Sequence, residues 1–164
     1  MFIIDIFAKK NEMIQRIQTI YFLVAEMLIS ILFFFPFAEI VGKEGKIYQL
    51  DFKEFYPDMV QKTGWIGSPL FLLGAVCFLL ILVTIFQYKQ RVLQIRLAII
   101  AIVLLLSLAG LIFYYGKSAE KMVSGAGSLN LVVLSPLIAT IIIYLAIRAI
   151  NKDEKLVRSI DRIR

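Results

Sequence analysis

Few side chains in this sequence could do chemistry, and Glu26 stands out, an acid near the middle of an otherwise apolar run at residues 17–37. An acidic side chain at the centre of a membrane span costs about 2.5–3.5 kcal/mol on insertion scales and faces protein or water rather than lipid. Helical spacing brings Thr19 and Ser30 near its face, seven residues before it and four after, so one polar stripe can point inward. One reading is an ion or proton site. The competing one is a protonated carboxyl that hydrogen-bonds a hydroxyl such as Ser107, Thr84 or Thr140 and only aligns helices. No other apolar run holds an internal charge, so a relay lacks its second acid and an ion pair its base. A conducting path ordinarily needs more polar lining, and the aligning role is preferred. Glu26, Ser30 and Ser107 are the intramembrane polar candidates.

Other catalytic chemistry is poorly supplied. There is no histidine, and the one cysteine, Cys77, lies inside an apolar run, which leaves no disulfide framework and no zinc set. A glycine-rich phosphate loop and a carboxylate pair within the apolar segments are also missing. Glu39, Glu44, Asp51, Glu54 and Asp58 are interleaved with Lys43, Lys46, Lys53 and Lys62, the pattern of a solvated, charge-balanced surface. The expectation is a non-enzymatic protein with no metal and no cofactor.

The elements that must position these residues are membrane spans. Hydrophobic residues make up 60% of the 164, above the ~45–50% of soluble domains, and a helix crosses a hydrocarbon core with about 20 residues. Four runs are long enough: 17–37, 69–88, 97–115 and 129–150. They fill most of one small domain. Pro136 interrupts the last, which predicts a bend at Ser135-Pro136, with a helix starting at Pro136 as the competing form. The fold class expected is an all-α membrane protein, a four-transmembrane-helix bundle.

Charge distribution assigns sides. Lys9, Lys10 and Arg16, then Lys89, Arg91 and Arg96, then Arg148, Lys152, Lys155, Arg158, Arg162 and Arg164 make 12 basic residues at the two ends and the 87–96 connection, against 6 in the other connections. Short cytoplasmic segments collect Lys and Arg, so both termini are expected in the cytoplasm of a multi-pass protein of the bacterial inner membrane. The 38–68 connection then lies outside. It reads as a short β-hairpin around the Gly-Lys-Glu-Gly-Lys cluster, with Phe55, Tyr56 and Trp65 folding the loop back onto the headgroups. Residues 116–128, with three glycines, read as a flexible exterior loop. The opening run is too long, and Pro36-Phe37-Ala38 too poor a cleavage pattern, for a removable signal peptide.

Ser135, Ala139 and Ala146 stack at i, i+4 and i+11 on one side of the last span, where small side chains let helices approach in lipid; internal packing is expected, and docking of a partner helix is the lesser reading. Lys89, Arg91 and Arg96 lie in a basic hairpin whose long side chains snorkel to headgroups. Residues 151–164 form the cytoplasmic tail. Ile150, Leu156, Val157, Ile160 and Ile163 recur near helical spacing with basic residues on another side, and Asn151 followed by Glu154 could cap a separate amphipathic helix. Such a helix would rest on anionic headgroups. Nucleic acid is not an expected partner, because acids interrupt the basic surface and aromatic stacking residues are lacking.

MIQRIQTIYFLVAEM from Met13 and LAIRAINKDEKLVRSIDRIR from Leu145 resemble the opening and closing segments of a family of small four-span membrane proteins of the Bacteroidota, a domain of unknown function. The YKQRVLQIR hairpin also fits. The resemblance implies a topology and no activity, and it places the usual start at Met13, so that residues 1–12 are expected to be an extension or an upstream start choice. Three roles remain in play. An accessory or scaffolding subunit bound to other membrane proteins leads, followed by a small proton or ion transporter using Glu26 and by a membrane-bound regulator acting through its tail.

Overall fold

The computed structural model describes residues 18–42, 47–52, 69–88, 90–123 and 126–161. In chain order the elements are α1 (Gln18–Ile31), β1 (Ala38–Val41), β2 (Ile47–Leu50), α2 (Pro69–Phe86), α3 (Arg91–Val123), β3 (Ala126–Leu129), a 3₁₀ turn (Leu131–Leu134) and α4 (Ser135–Asp161). The chain is mostly helical, and three stretches, Pro69–Phe86, Arg91–Lys121 and Leu131–Glu154, are long and apolar enough to cross a membrane. The described part of the first helix, Gln18–Ile31, is shorter. It rises about 21 Å at 1.5 Å per residue.

Local chemistry sets the helix ends. Pro69 opens α2, where a missing N–H has no consequence because first-turn amides lack intrahelical acceptors. Between α2 and α3 the chain reverses within a few residues: Gln87 N–H donates to Thr84 O at 3.3 Å, Gln90 N–H to Gln87 O at 3.0 Å, and Gln94 N–H to Gln90 O at 2.9 Å. So short a connection makes the two helices antiparallel neighbours. At Ser135-Pro136 the last apolar stretch re-forms rather than starting afresh. The 3₁₀ turn runs directly into Ser135, which is already in the right-handed helical region, and α4 carries the proline in its first turn. Ser135 is therefore not an N-cap, and the tighter turn before it keeps the proline ring clear of the preceding carbonyls.

Two further expectations need correction. Helix α4 continues through Asn151 to Asp161, so Asn151 does not cap a separate tail helix; no proline or glycine lies between residues 148 and 161 to stop the first one. The described residues of the 116–128 stretch are not a loop either. Helix α3 extends to Val123, 33 residues in all, and β3 follows.

That third strand changes the picture of the hairpin. Strand β1 pairs antiparallel with β2 in the register Ala38↔Leu50 to Val41↔Ile47, and on its other edge with β3, Ala38↔Leu129 to Val41↔Ala126. The sheet order is β2-β1-β3. Ala38 and Ile40 point inward and are buried, while Val41 is exposed, the alternation of a half-buried strand. Asn130 closes the junction, its N–H donating to Phe37 O at 3.0 Å and its Nδ2 to Pro36 O at 3.1 Å. The connections after α1 and after α3 therefore meet at one end of the molecule. The turn between α2 and α3 is at the other. Phe55, Tyr56 and Trp65 lie outside the described residues.

The core is a set of narrow seams. Buried positions step mostly by three and four: Gln18, Phe22, Ala25 and Ile29 in α1, with Glu26 beside Ala25 and Leu32 just past the helix; Leu70, Gly74, Cys77, Ile81 and Thr84 in α2; Gln94, Ala98, Ala101, Leu105, Leu108 and Ile112 in α3; Ser135, Ala139, Ile143, Ala146, Ile150 and Asp153 in α4, with Ile147 beside Ala146. This is the spacing of one helix face turned toward its neighbours. The remaining surface is apolar as well. Leu72, Val76, Leu79 and Val83 of α2 and Ile99, Val103 and Leu106 of α3 are all exposed.

At the sheet end an aromatic group joins cap to helices: Phe33 lies 5.5 Å from Phe52, 5.7 Å from Phe71 and 6.4 Å from Phe78, ring centre to ring centre. Gly74 makes room for it, since a Cβ there would sit 2.8 Å from Phe52 Cε1. At Gly110 a Cβ would meet nothing within 4 Å. Gly74→Val is expected to destabilise by about 1–3 kcal/mol through overpacking, whereas Gly110→Ala should be neutral or stabilise by up to about 1 kcal/mol through helix propensity. Melting of both variants in detergent, followed by tryptophan fluorescence, checks the contrast.

Candidate functional site

Glu26 lies on the inner side of α1, 7% exposed, and both of its carboxyl oxygens are buried without a hydrogen-bond partner. The hydroxyls that the sequence offered it are spent elsewhere. Ser30 Oγ donates to the backbone oxygen of Glu26 at 2.8 Å, Thr84 Oγ1 to Leu80 O at 2.7 Å, Ser107 Oγ to Val103 O at 2.9 Å and Thr140 Oγ1 to Pro136 O at 2.9 Å. Each bonds the carbonyl four residues back, the habit of Ser and Thr inside helices. The aligning hydrogen bond is thus not formed with any of these groups. Ser107 moreover faces outward, so the three intramembrane candidates do not form one site. Gln18, two turns before Glu26, is buried with Nε2 unpartnered.

Ser135, Ala139 and Ala146 are buried in the seam of α4, facing the other helices of the chain. That leaves no small-residue stripe on the outer side of α4 at these positions. The Ser135 Oγ is buried without a partner.

A second polar group gathers at the end opposite the sheet. Arg91, in the first turn of α3, places Nη2 2.9 Å from Oδ2 of Asp153, whose side chain is 3% exposed. The contact is an ion pair without the alignment of a hydrogen bond. Beside it the buried Gln94 donates from Nε2 to Thr84 O at 3.2 Å. A hairpin residue and a tail residue are therefore joined, which sequence reasoning had kept apart. The signal was available: Asp153 prolongs the three-four steps of Ala139, Ile143, Ala146 and Ile150 and so must face inward. Arg96, Arg148 and Lys152 are exposed at the same end. Lys89, Arg162 and Arg164 and the side chains of Lys155 and Arg158 lie outside the described residues.

Among the described residues, no group of three His, Cys, Asp or Glu side chains could hold a metal ion. The single cysteine, Cys77, is free and buried in α2. The arrangement is one buried acid, one partly buried ion pair and a surface of apolar side chains.

A family described as Domain of unknown function (DUF4293) matches residues 14–163. The chain belongs to that family. The resemblance carried by its two end segments is thus membership of DUF4293, and the match takes in every element described here, from α1 to the end of α4. No curated protein matches the chain. The family's description names no activity, so the function of this DUF4293 chain has to be argued from its own residues.

Removing Arg91 would leave Asp153 as a buried, uncompensated charge, a change that costs about 3–5 kcal/mol in buried pairs. Partial exposure of the arginine places Arg91→Gln at the lower end of that range. Adding Asp153→Asn should recover most of the loss, and a double-mutant cycle by thermal unfolding in detergent measures the coupling.

Proposed function

We propose that the chain is a four-span protein of the bacterial inner membrane, both termini cytoplasmic, that works without catalysis as an accessory or scaffolding subunit of a larger membrane assembly. The observation that carries this reading is how little of each span the chain covers itself. Only 28% of each of the three long apolar windows is buried, and the seams that do the covering are narrow. The rest is large aliphatic and aromatic surface, suited to lipid and to neighbouring helices, while among the described residues few polar side chains are buried.

The fourth crossing is α1. Its described part is short for a core of about 30 Å, and the apolar run extends on both sides of it, from residue 17 to residue 37. Pairing of β1 with β3 supports two crossings between them, α2 out and α3 back, since it brings the connections after α1 and α3 to one face. The excess of Lys and Arg in the terminal segments and the α2–α3 turn supports a cytoplasmic position for the opposite end.

A second reading, a proton or cation transporter, is favoured by one observation: both Glu26 oxygens are buried without a partner, and intramembrane acids are often functional. The third reading, a regulator acting through the tail, draws on the length of α4, which runs well past its apolar window. Affinity purification at native expression in mild detergent should recover another membrane protein in stable amount; a chain that always emerges alone speaks against the accessory role. In liposomes no proton or cation flux is expected. Flux abolished by Glu26→Gln would favour the transporter instead.

A further inference from the structure

At the end opposite the sheet, the first turn of α3 and the far part of α4 leave a cleft of about 560 Å³ lined by Gln90, Arg91, Val92, Leu93, Arg96 and Glu154. We propose that this cleft holds the headgroup of a zwitterionic aminophospholipid, its phosphate on Arg96 and Arg91 and its ammonium at Glu154. The inference rests on the reading that this end of the molecule lies at the bilayer surface, and it goes beyond that reading by naming a ligand.

Position comes first. The uninterrupted apolar stretch of α3 starts at Leu97, directly after Arg96, so the cleft sits where headgroups meet hydrocarbon. Val92 and Leu93 are both exposed on its wall, apolar footing for the glycerol and the first methylenes.

The charges select the headgroup. Arg91 gives Nη2 to Asp153 at 2.9 Å, but a guanidinium has five N–H donors in a planar fork and can serve a phosphate with others. Arg96 is exposed. Guanidinium and phosphate form paired, charge-assisted bonds, and the positive end of the α3 dipole adds to the same field. In the cleft itself Arg91 and Arg96 stand against Glu154, and Asp153 balances Arg91 from behind, so these four groups sum to zero, although Arg148 and Lys152 are exposed at the same end outside the lining. A net-anionic lipid would bring an unbalanced charge, whereas a headgroup with one phosphate and one primary ammonium meets a partner for each. A carboxylate has about four acceptor positions, so Glu154 can take an ammonium N–H beside any other bond it makes.

The full-length chain is extracted in detergent, offered equal amounts of phosphatidylethanolamine, phosphatidylglycerol and phosphatidylcholine, and its lipid adducts are measured by native mass spectrometry. Phosphatidylethanolamine adducts are expected to exceed each of the others about tenfold, the ratio of one decade in affinity. Arg96→Gln should abolish the preference, and Glu154→Gln should reduce phosphatidylethanolamine to the level of phosphatidylcholine, which keeps the phosphate but has no ammonium N–H. Arg96 is exposed and Glu154 half-buried, and neither takes part in the Arg91–Asp153 pair. Equal adducts for the three lipids, a preference for phosphatidylglycerol, or a preference untouched by Arg96→Gln would overturn the assignment. Carbonate washing separates the two levels: a chain that stays in the membrane but lacks the preference loses only the headgroup site, and one that is washed off loses the membrane reading too.

Discussion

Packing along narrow seams is what the other features depend on. A helix that buries mainly positions three and four apart has little area with which to hold its neighbours, so those positions must allow close approach. Ala25, Gly74, Ala98, Ala101, Ala139 and Ala146 do so, alternating with Phe22, Ile81, Leu105 and Ile143 as larger knobs. In water such a seam would be a weak core under an apolar exterior. In hydrocarbon the exterior is solvated and dispersion along the seam is the main force between helices. The same choice explains the scarcity of polar side chains inside, and why the Ser and Thr hydroxyls turn back on their own helices.

The two ends are held by different chemistry. At one, a three-stranded sheet, an aromatic group around Phe33 and the Asn130 clasp join segments far apart in the chain. At the other, the Arg91–Asp153 pair and the Gln94–Thr84 bond fix a tight turn against α4. Directional bonds at the ends thus fix the rotation of helices that the apolar middle, with its non-directional contacts, would leave free to slide. Glu26 is the exception between them, an acid in the seam without a partner.

The long apolar helices and the hairpin were legible because their signals are local. Uninterrupted aliphatic runs mark α2 and α3, and a turn cluster between short alternating runs marks β1 and β2. The third strand was not legible. The residues of β3 read AGSL, a sequence with little strand preference, and they are strands because β1 offers an edge, a cause that lies about 90 residues away. Helix α3 outran its apolar stretch for a similar reason: Gly116 and Ala119 keep the seam going past Tyr115. At Glu26 the residue was legible and its surroundings were not, since hydroxyl spacing cannot tell which acceptor a hydroxyl will choose. Asp153 was hidden among other charges until the steps of α4 were carried through it.

The pairing of β1 on both edges has a bearing on how the chain is made. When the ribosome has delivered β1 and β2, the hairpin is complete on one edge only, and its partner on the other edge is still unsynthesised, two long apolar helices further along the chain. Until then β1 presents a bare row of amides and carbonyls, the kind of edge that recruits foreign strands. The last strand of the cap can therefore close only after both of those helices have been made.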